Sequence, residues 1–131
     1  MIPLFRGKRK DTGEWVIGSV LYKDDTPYII TNAERKDGLL TVEGYEVLPV
    51  TVSEYVYVED KNGVKVFSGD VLKNSFGYIM KVVYVPKWHC YGYKYFRNGI
   101  KLYSRLYGLF KKDIEVIGNI FDDEELFNEL S

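Results

Sequence analysis

The residues of this chain that could do chemistry are concentrated in residues 71–112, here called the basic–aromatic block. The block holds nine lysines and arginines and eleven aromatic residues, while all nineteen acidic residues of the chain lie outside it. Cations interleaved with aromatic rings are what a protein needs to hold a polyanion whose bases stack. A tyrosine-rich sheet with lysines on its solvated side has the same composition. The block therefore predicts either a nucleic-acid surface or a packed wall.

Alternation along a strand would place every second residue from Lys101 to Tyr107 on one face of the block. A second row of three tyrosines occupies alternate positions from Tyr91 to Tyr95. The candidate contacts with nucleic acid or with a protein partner are Lys81, Lys94, Arg97, Lys101, Tyr103, Arg105 and Tyr107.

The other reactive residues do not form a catalytic pattern. The single histidine, His89, precedes the single cysteine, Cys90, and adjacent strand residues point to opposite faces. One histidine and one cysteine do not make a zinc site. Consecutive acids at residues 122–125 point in different directions on a helix, so they favour helix capping over metal binding. We expect no enzyme activity, no catalytic residue, no cofactor and no metal.

The composition is that of a globular protein of one domain or two small lobes, with 131 residues, 46% hydrophobic and 28% charged. A single cysteine suits a reducing compartment. The apolar start is too short for a signal peptide, and no apolar run reaches the length of a membrane helix. We expect a cytoplasmic protein that does not bind membranes.

Valine, isoleucine and tyrosine, with frequent glycines, predict many short strands. The turns at residues 11–13 and at Asn62-Gly63 predict two hairpins. Residues 78–85 are apolar at both alternating sets of positions, which predicts a strand covered on both sides. Residues 32–46 lack periodicity and are expected to be irregular. Residues 100–107 fit a strand better than a helix, because their neighbours are strands.

One helix is predicted over residues 122–130. Asp122 can cap it, and Phe121 and Leu126 have the spacing of a hydrophobic staple. A helix of this length is not stable alone. Its apolar residues are therefore candidate docking or oligomer contacts, namely Leu126, Phe127 and Leu130.

Three motifs resemble the YopX family of phage and prophage proteins. Residues 59–72 are similar to its "KDKNGKEIYEGDIV" stretch, and residues 115–121, followed by acids and Leu126, to its "EVIGNIYENPELL". Residues 5–8 and 13–19 are similar to its "FRGK…GEWVYGS". The family usually reads "YTGL" before the first of these stretches.

Here Tyr55-Val56-Tyr57-Val58 replaces that "YTGL", which predicts a continuous strand instead of a glycine turn. The resemblance implies an all-β, mainly antiparallel protein of bacteriophage or prophage origin, located in the cytoplasm of a bacterial host. It also implies an N-terminal β lobe over residues 1–53 and a small SH3-like barrel with the C-terminal helix over residues 54–131, together one compact unit. The family has no established activity to carry over.

Two functions fit these observations. The first is a non-enzymatic protein-interaction or self-assembling module, working as a homo-oligomer or by binding a host or phage protein. The alternative is a sequence-tolerant nucleic-acid-binding protein that uses the basic–aromatic block.

Overall fold

The computed structural model of the protein describes residues 2–97, 100–106 and 111–123, and consists of antiparallel strands joined by turns and short 3₁₀ segments. The all-β, antiparallel prediction is confirmed. The strands are β1 (Phe5–Lys8), β2 (Trp15–Lys23), β3 (Thr26–Lys36), β4 (Leu39–Glu46), β5 (Ser53–Glu59), β6 (Lys65–Phe67), β7 (Asp70–Asn74), β8 (Ile79–Val85), β9 (Cys90–Arg97), β10 (Ile100–Arg105) and β11 (Ile114–Asn119).

The chain divides into two compact units, unit one (Met1–Tyr55) and unit two (Val56–Ser131). In unit one the strands are ordered β4-β3-β2-β1, and β1 also pairs with Ser53 and Glu54 at the start of β5. Ile29 and Val47 are fully buried in this unit. The predicted hairpin around residues 11–13 is present between β1 and β2.

The prediction of irregular structure over residues 32–46 is wrong. Strands β3 and β4 form a hairpin there, with Ala33 opposite Val42, and both Asp37 and Gly38 in its turn have positive φ. Residues 31–44 are exposed on both faces of the hairpin. Since neither face is buried, the sequence carries no alternation of apolar and polar residues, which is the signal by which a strand is recognised.

Unit two contains a five-stranded sheet in the order β10-β9-β8-β7-β11, and β6 lies beside β5. Its core is a cluster of five buried side chains, against which the rings of Tyr93 and Tyr95 also pack. The five are Val66, Leu72, Met80, Val82 and Ile114. Residues 100–105 are a strand, as predicted.

The strand of residues 78–85 is not covered on both sides as predicted. Met80 and Val82 of β8 are buried in the core, but Lys81 and Val83 lie on the opposite face and are only half-buried. The apolar residues of that second face line an open groove instead of a second core layer.

The sheet of unit two does not close into a barrel among the described strands, because β10 and β11 stand at its two edges. The SH3-like barrel therefore stays a prediction. Residues 124–130 of the helix predicted over 122–130, with its contacts Leu126, Phe127 and Leu130, lie outside the described residues. The turn before it is built by Asn119, whose side-chain oxygen accepts hydrogen bonds from the amides of Phe121 and Asp122.

Asp60 joins the hairpin turn between β5 and β6 to strand β11. Its carboxylate is buried and accepts hydrogen bonds from the amides of Asn62 (2.8 Å), Val64 (2.9 Å) and Val116 (3.0 Å). Burial raises the pKa of this carboxyl, but the three amides and Lys61 lower it, and the resulting pKa lies below its ordinary 3.8. The predicted Asn62-Gly63 turn is thus held by a buried charge.

Strand β5 is continuous, as the replacement of "YTGL" predicts, but Tyr57 keeps the backbone that suits the family's glycine. Its φ is +63°, in the left-handed region that side-chained residues occupy at a cost of about 1–2 kcal/mol. Its neighbour Val58 has no such backbone and packs against the core cluster.

We expect the substitution Tyr57→Gly to raise the free energy of unfolding by up to about 1 kcal/mol, since glycine relieves the left-handed strain at a smaller entropic cost. The matched substitution Val58→Gly should lower it by about 2 kcal/mol, because it empties a core position. Urea denaturation of both variants measures the difference. A clear loss of stability in Tyr57→Gly would show that contacts of the Tyr57 side chain outweigh the strain.

Candidate functional site

The outer face of strands β8, β9 and β10 carries a row of cations and a ring. In the register of these strands Lys81 lies opposite Lys94, and Lys94 lies opposite Tyr103. Because the preceding and following residues Met80 and Val82 point into the core, alternation turns this row away from it. Three residues distant in sequence therefore stand side by side on adjacent strands, which are about 4.8 Å apart.

A second row lies next to the first and consists of Val83, Gly92 and Arg105. Gly92 is buried, and a Cβ atom there would lie 3.3 Å from the ring of Trp88 and 2.5 Å from the carbonyl oxygen of Ser104. The missing side chain lets Trp88 approach the sheet. Trp88 is held there by the 3₁₀ turn Pro86–Trp88, which ends at His89 in a left-handed conformation.

Arg105 is held by Trp88 and Cys90. Its guanidinium lies 4.7 Å from the centroid of the Trp88 ring, a cation–π contact, and Nη1 donates a hydrogen bond to the Cys90 sulfur over 3.6 Å. Trp88 and Arg105 thus form a stacked pair at one side of the row. In the described part of the structure the Cys90 sulfur is hydrogen-bonded to Arg105 and not to a histidine.

Trp88 and the row of Lys81, Lys94 and Tyr103 line an open groove of about 520 Å³, here called the basic groove. Three of the lining residues that the structure describes are lysines, and no described lining residue is acidic. The lining consists of Lys81, Val83, Tyr84, Val85, Pro86, Lys87, Trp88, Lys94 and Tyr103.

Of the predicted contacts, the structure brings Lys81, Lys94 and Tyr103 together in the groove and places Arg105 beside it. Arg97 is the last residue of β9, and Lys101 lies in β10 opposite Phe96. Tyr107 lies outside the described residues. Tyr103 is half exposed, so its ring is accessible to a ligand.

The tyrosine row from Tyr91 to Tyr95 lies on the core side of the same sheet. Tyr93 and Tyr95 stack with their centroids 5.6 Å apart and pack against the core cluster, while Tyr91 meets Tyr84 edge-on at 5.3 Å. This row is a packed wall. The tyrosine row and the row of Lys81, Lys94 and Tyr103 therefore lie on opposite faces of one sheet.

The family is decided by comparison with known proteins. The family model of the YopX protein family matches residues 4–128 of this chain. The chain belongs to the YopX family. The resemblance read from the three motifs is thereby confirmed.

The fold of this YopX chain also has a match among solved structures. It is similar to the crystal structure of protein EF1440 from Enterococcus faecalis, with a TM-score of 0.59 and 21% identity over 96% of this chain and 98% of that one. At this identity the likeness shows the fold alone. No curated protein matches the chain.

Other chemical features are few in the part of this YopX protein that the structure describes. That part contains no group of three or more histidine, cysteine, aspartate or glutamate residues placed to hold a metal ion. It also contains no helix of the length and hydropathy needed to cross a membrane.

The sequence missed Trp88, Lys87 and Gly92 as parts of the site. The signal for Gly92 is a glycine inside a strand pattern, which often marks a close approach by another group. Trp88 stands only four residues before Gly92 and two residues after Pro86, which can start a tight turn.

Proposed function

We propose that this protein is a non-enzymatic binding module that holds single-stranded nucleic acid in the basic groove without strong sequence preference. The observation that supports it best is the row of Lys81, Lys94 and Tyr103 across three adjacent strands, with Trp88 lining the same groove. Cations for phosphates and ring faces for bases are thus available within one ligand footprint.

The phosphate contacts come from the lysines. Lys81, Lys87 and Lys94 border the groove. A lysine ammonium binds phosphate as a point charge and carries no sequence information. The described residues of the lining include no asparagine or glutamine to read base edges, which supports tolerance of sequence.

The stacking contacts come from two rings. Tyr103 is half exposed, and Trp88 has one side engaged by the Arg105 guanidinium at 4.7 Å. A base stacked on an aromatic side chain contributes about 1–3 kcal/mol to binding. An acidic peptide would satisfy the lysines but would leave the exposed Tyr103 ring without a stacked base, which favours nucleic acid as the ligand.

The proposal has no catalytic step. His89 ends a 3₁₀ turn, and the hydrogen bond described at the Cys90 sulfur comes from Arg105, so the described contacts do not pair the two residues as a base and a nucleophile. Phage or prophage origin, the cytoplasm of a bacterial host and an SH3-like barrel in unit two remain parts of this proposal that rest on the family resemblance. Self-assembly is supported by a different surface, described below.

We expect the substitution Tyr103→Leu to weaken binding of a fluorescent single-stranded oligonucleotide by about 5- to 150-fold, the loss of one stacked base. The salt dependence of binding should not change, because a stacked ring releases no counterions. Fluorescence anisotropy at several salt concentrations measures both quantities. The matched control is Tyr22→Leu, which removes a similarly exposed tyrosine from unit one.

A competitor separates stacking from charge alone. Inorganic polyphosphate carries the charges of a nucleic acid without its bases, and it should displace the oligonucleotide only at a large excess of phosphate. Equal competition per phosphate, together with an unchanged Tyr103→Leu variant, would contradict the proposal and favour a purely electrostatic surface.

A further inference from the structure

Strand β4 is the edge strand of the sheet in unit one. Among the described strands it pairs only with β3, so half of its backbone N–H and C=O groups face away from the sheet. Residues 39–44 are exposed on both faces. A row of unpaired backbone groups is a template for pairing with another strand.

This edge lacks the usual protection against pairing. Edge strands are commonly blocked by lysine, proline or a bulge, but residues 39–44 contain neither lysine nor proline and carry one charge, Glu43. The irregularity in this hairpin falls on β3 between Ile30 and Asn32. Apolar side chains are also exposed there, with Leu39 at 71% and Leu40 at 63%.

The distal part of the hairpin has no third strand. Strand β2 pairs with β3 only as far as Ile30, and beyond it β3 and β4 form a two-stranded ribbon over residues 32–43. A two-stranded ribbon is at best marginally stable in water, and a further strand stabilises it. The ribbon would therefore be stabilised by a strand added at β4.

The sequence of β4 complements itself. In an antiparallel pair centred on Thr41, Leu40 of one copy lies opposite Val42 of the other, Thr41 opposite Thr41, and Leu39 opposite Glu43. Apolar and threonine pairs are favourable cross-strand pairs, and no two like charges are opposed. Since each contact occurs twice, the interface is closed by a twofold axis.

We propose that β4 pairs antiparallel with β4 of a second copy about a twofold axis at Thr41, so that two hairpins form one continuous sheet. The ribbon's charges nearly balance, so repulsion between copies does not oppose the contact. They are Glu34, Arg35, Lys36, Asp37 and Glu43. This surface lies in unit one and does not depend on the basic groove.

The sharpest test is the substitution Thr41→Lys. Within one chain Thr41 lies opposite Glu34, so the new lysine gains an opposite charge and the hairpin is kept. In the dimer two lysines would face each other at the axis, and we expect the dissociation constant to rise by about 100-fold. The control Thr41→Val keeps a β-branched residue and should leave the dimer intact. Sedimentation equilibrium measures the constants.

Cross-linking locates the axis independently. Opposed residues in an antiparallel pair have Cα atoms about 4.5–5.5 Å apart, within the range for a disulfide. In a Cys90→Ser background, Thr41→Cys should form a disulfide-linked dimer on mild oxidation. Lys23→Cys, on an exposed position of β2, should not.

A wild-type protein that sediments as one chain at the highest concentration attainable would overturn the proposal. A dimer that Thr41→Lys leaves unchanged, or that Thr41→Cys does not cross-link, would overturn it equally. In either case the binding of single strands to the groove is unaffected and is judged by its own measurements.

Discussion

Replacing Asp60 with alanine should lower the free energy of unfolding by about 3 kcal/mol or more. The carboxylate is 1% exposed and accepts hydrogen bonds from the amides of Asn62, Val64 and Val116. Hydrogen bonds to a charged group contribute about 1.5–3 kcal/mol each, and unpaired buried amides are unfavourable. Without the Asp60 carboxylate the turn after β5 loses its hydrogen bond from Val116 of β11 and keeps the one that the Lys61 amide donates to the carbonyl oxygen of Ile114.

Denaturant unfolding of Asp60→Ala gives the loss directly. The control Asp11→Ala removes an exposed carboxylate that pairs with Arg9 at 2.8 Å, and solvent screens such a pair so that its loss should change stability little. Equal stabilities of the two variants would show that the Asp60 hydrogen bonds do not hold the turn.

The Asp60 carboxylate should also make the free energy of unfolding depend on pH in the acidic range. Its pKa is lowered in the folded protein, so its contribution is fully present above the unfolded pKa of about 3.9 and is lost as the pH falls through the folded pKa. Asp60→Asn cannot ionise, so its stability should fall less steeply below about pH 4. Denaturant unfolding of the wild type and of Asp60→Asn between about pH 3 and 7 gives the slope of the free energy of unfolding against pH for each protein.

Changing Lys81, Lys87 and Lys94 together to glutamine should weaken single-strand binding by about 100-fold at 0.1 M salt. Each phosphate contact with a single strand contributes about 0.7 to the slope of log K against log salt, so three contacts contribute about 2. The slope should fall by that amount in the variant. A smaller slope shows that phosphate contacts are lost, whereas a general loss of structure would lower the affinity without this specific change in slope.

A matched triple variant tests whether the place of the charges matters. Lys10, Lys23 and Lys36 are exposed residues of unit one, and changing them to glutamine alters the net charge equally. We expect this variant to bind nearly as the wild type does. If both triple variants lose affinity alike, net charge and not the groove is responsible.

The sequence predicts those parts of the fold that have local causes. Asn62-Gly63 forms its hairpin because glycine takes a positive φ of 78° there. The apolar residues at both sets of positions over 78–85 predict strand β8, but not that one of its faces borders an open groove. Local patterns could not predict that Asp60 would reach β11, because its hydrogen bond to Val116 spans 56 residues.

The site could be predicted only in part for a related reason. Lys81, Lys94 and Tyr103 meet through strand register, which depends on the whole sheet and not on their spacing in the chain. Aromatic residues occur on both faces of β9 and its neighbours, so composition did not show which face was packed. The core contacts of Tyr93 and Tyr95 decide it.

The most direct measurement is the binding of the wild-type protein to a short single-stranded oligonucleotide as the salt concentration is raised. We expect saturable binding at low salt, with log K falling by about 2 for each tenfold increase in salt, which corresponds to about three phosphate contacts. We also expect oligonucleotides of different base sequence to bind with similar affinity. No binding to single-stranded DNA or RNA at low salt would contradict the proposed function.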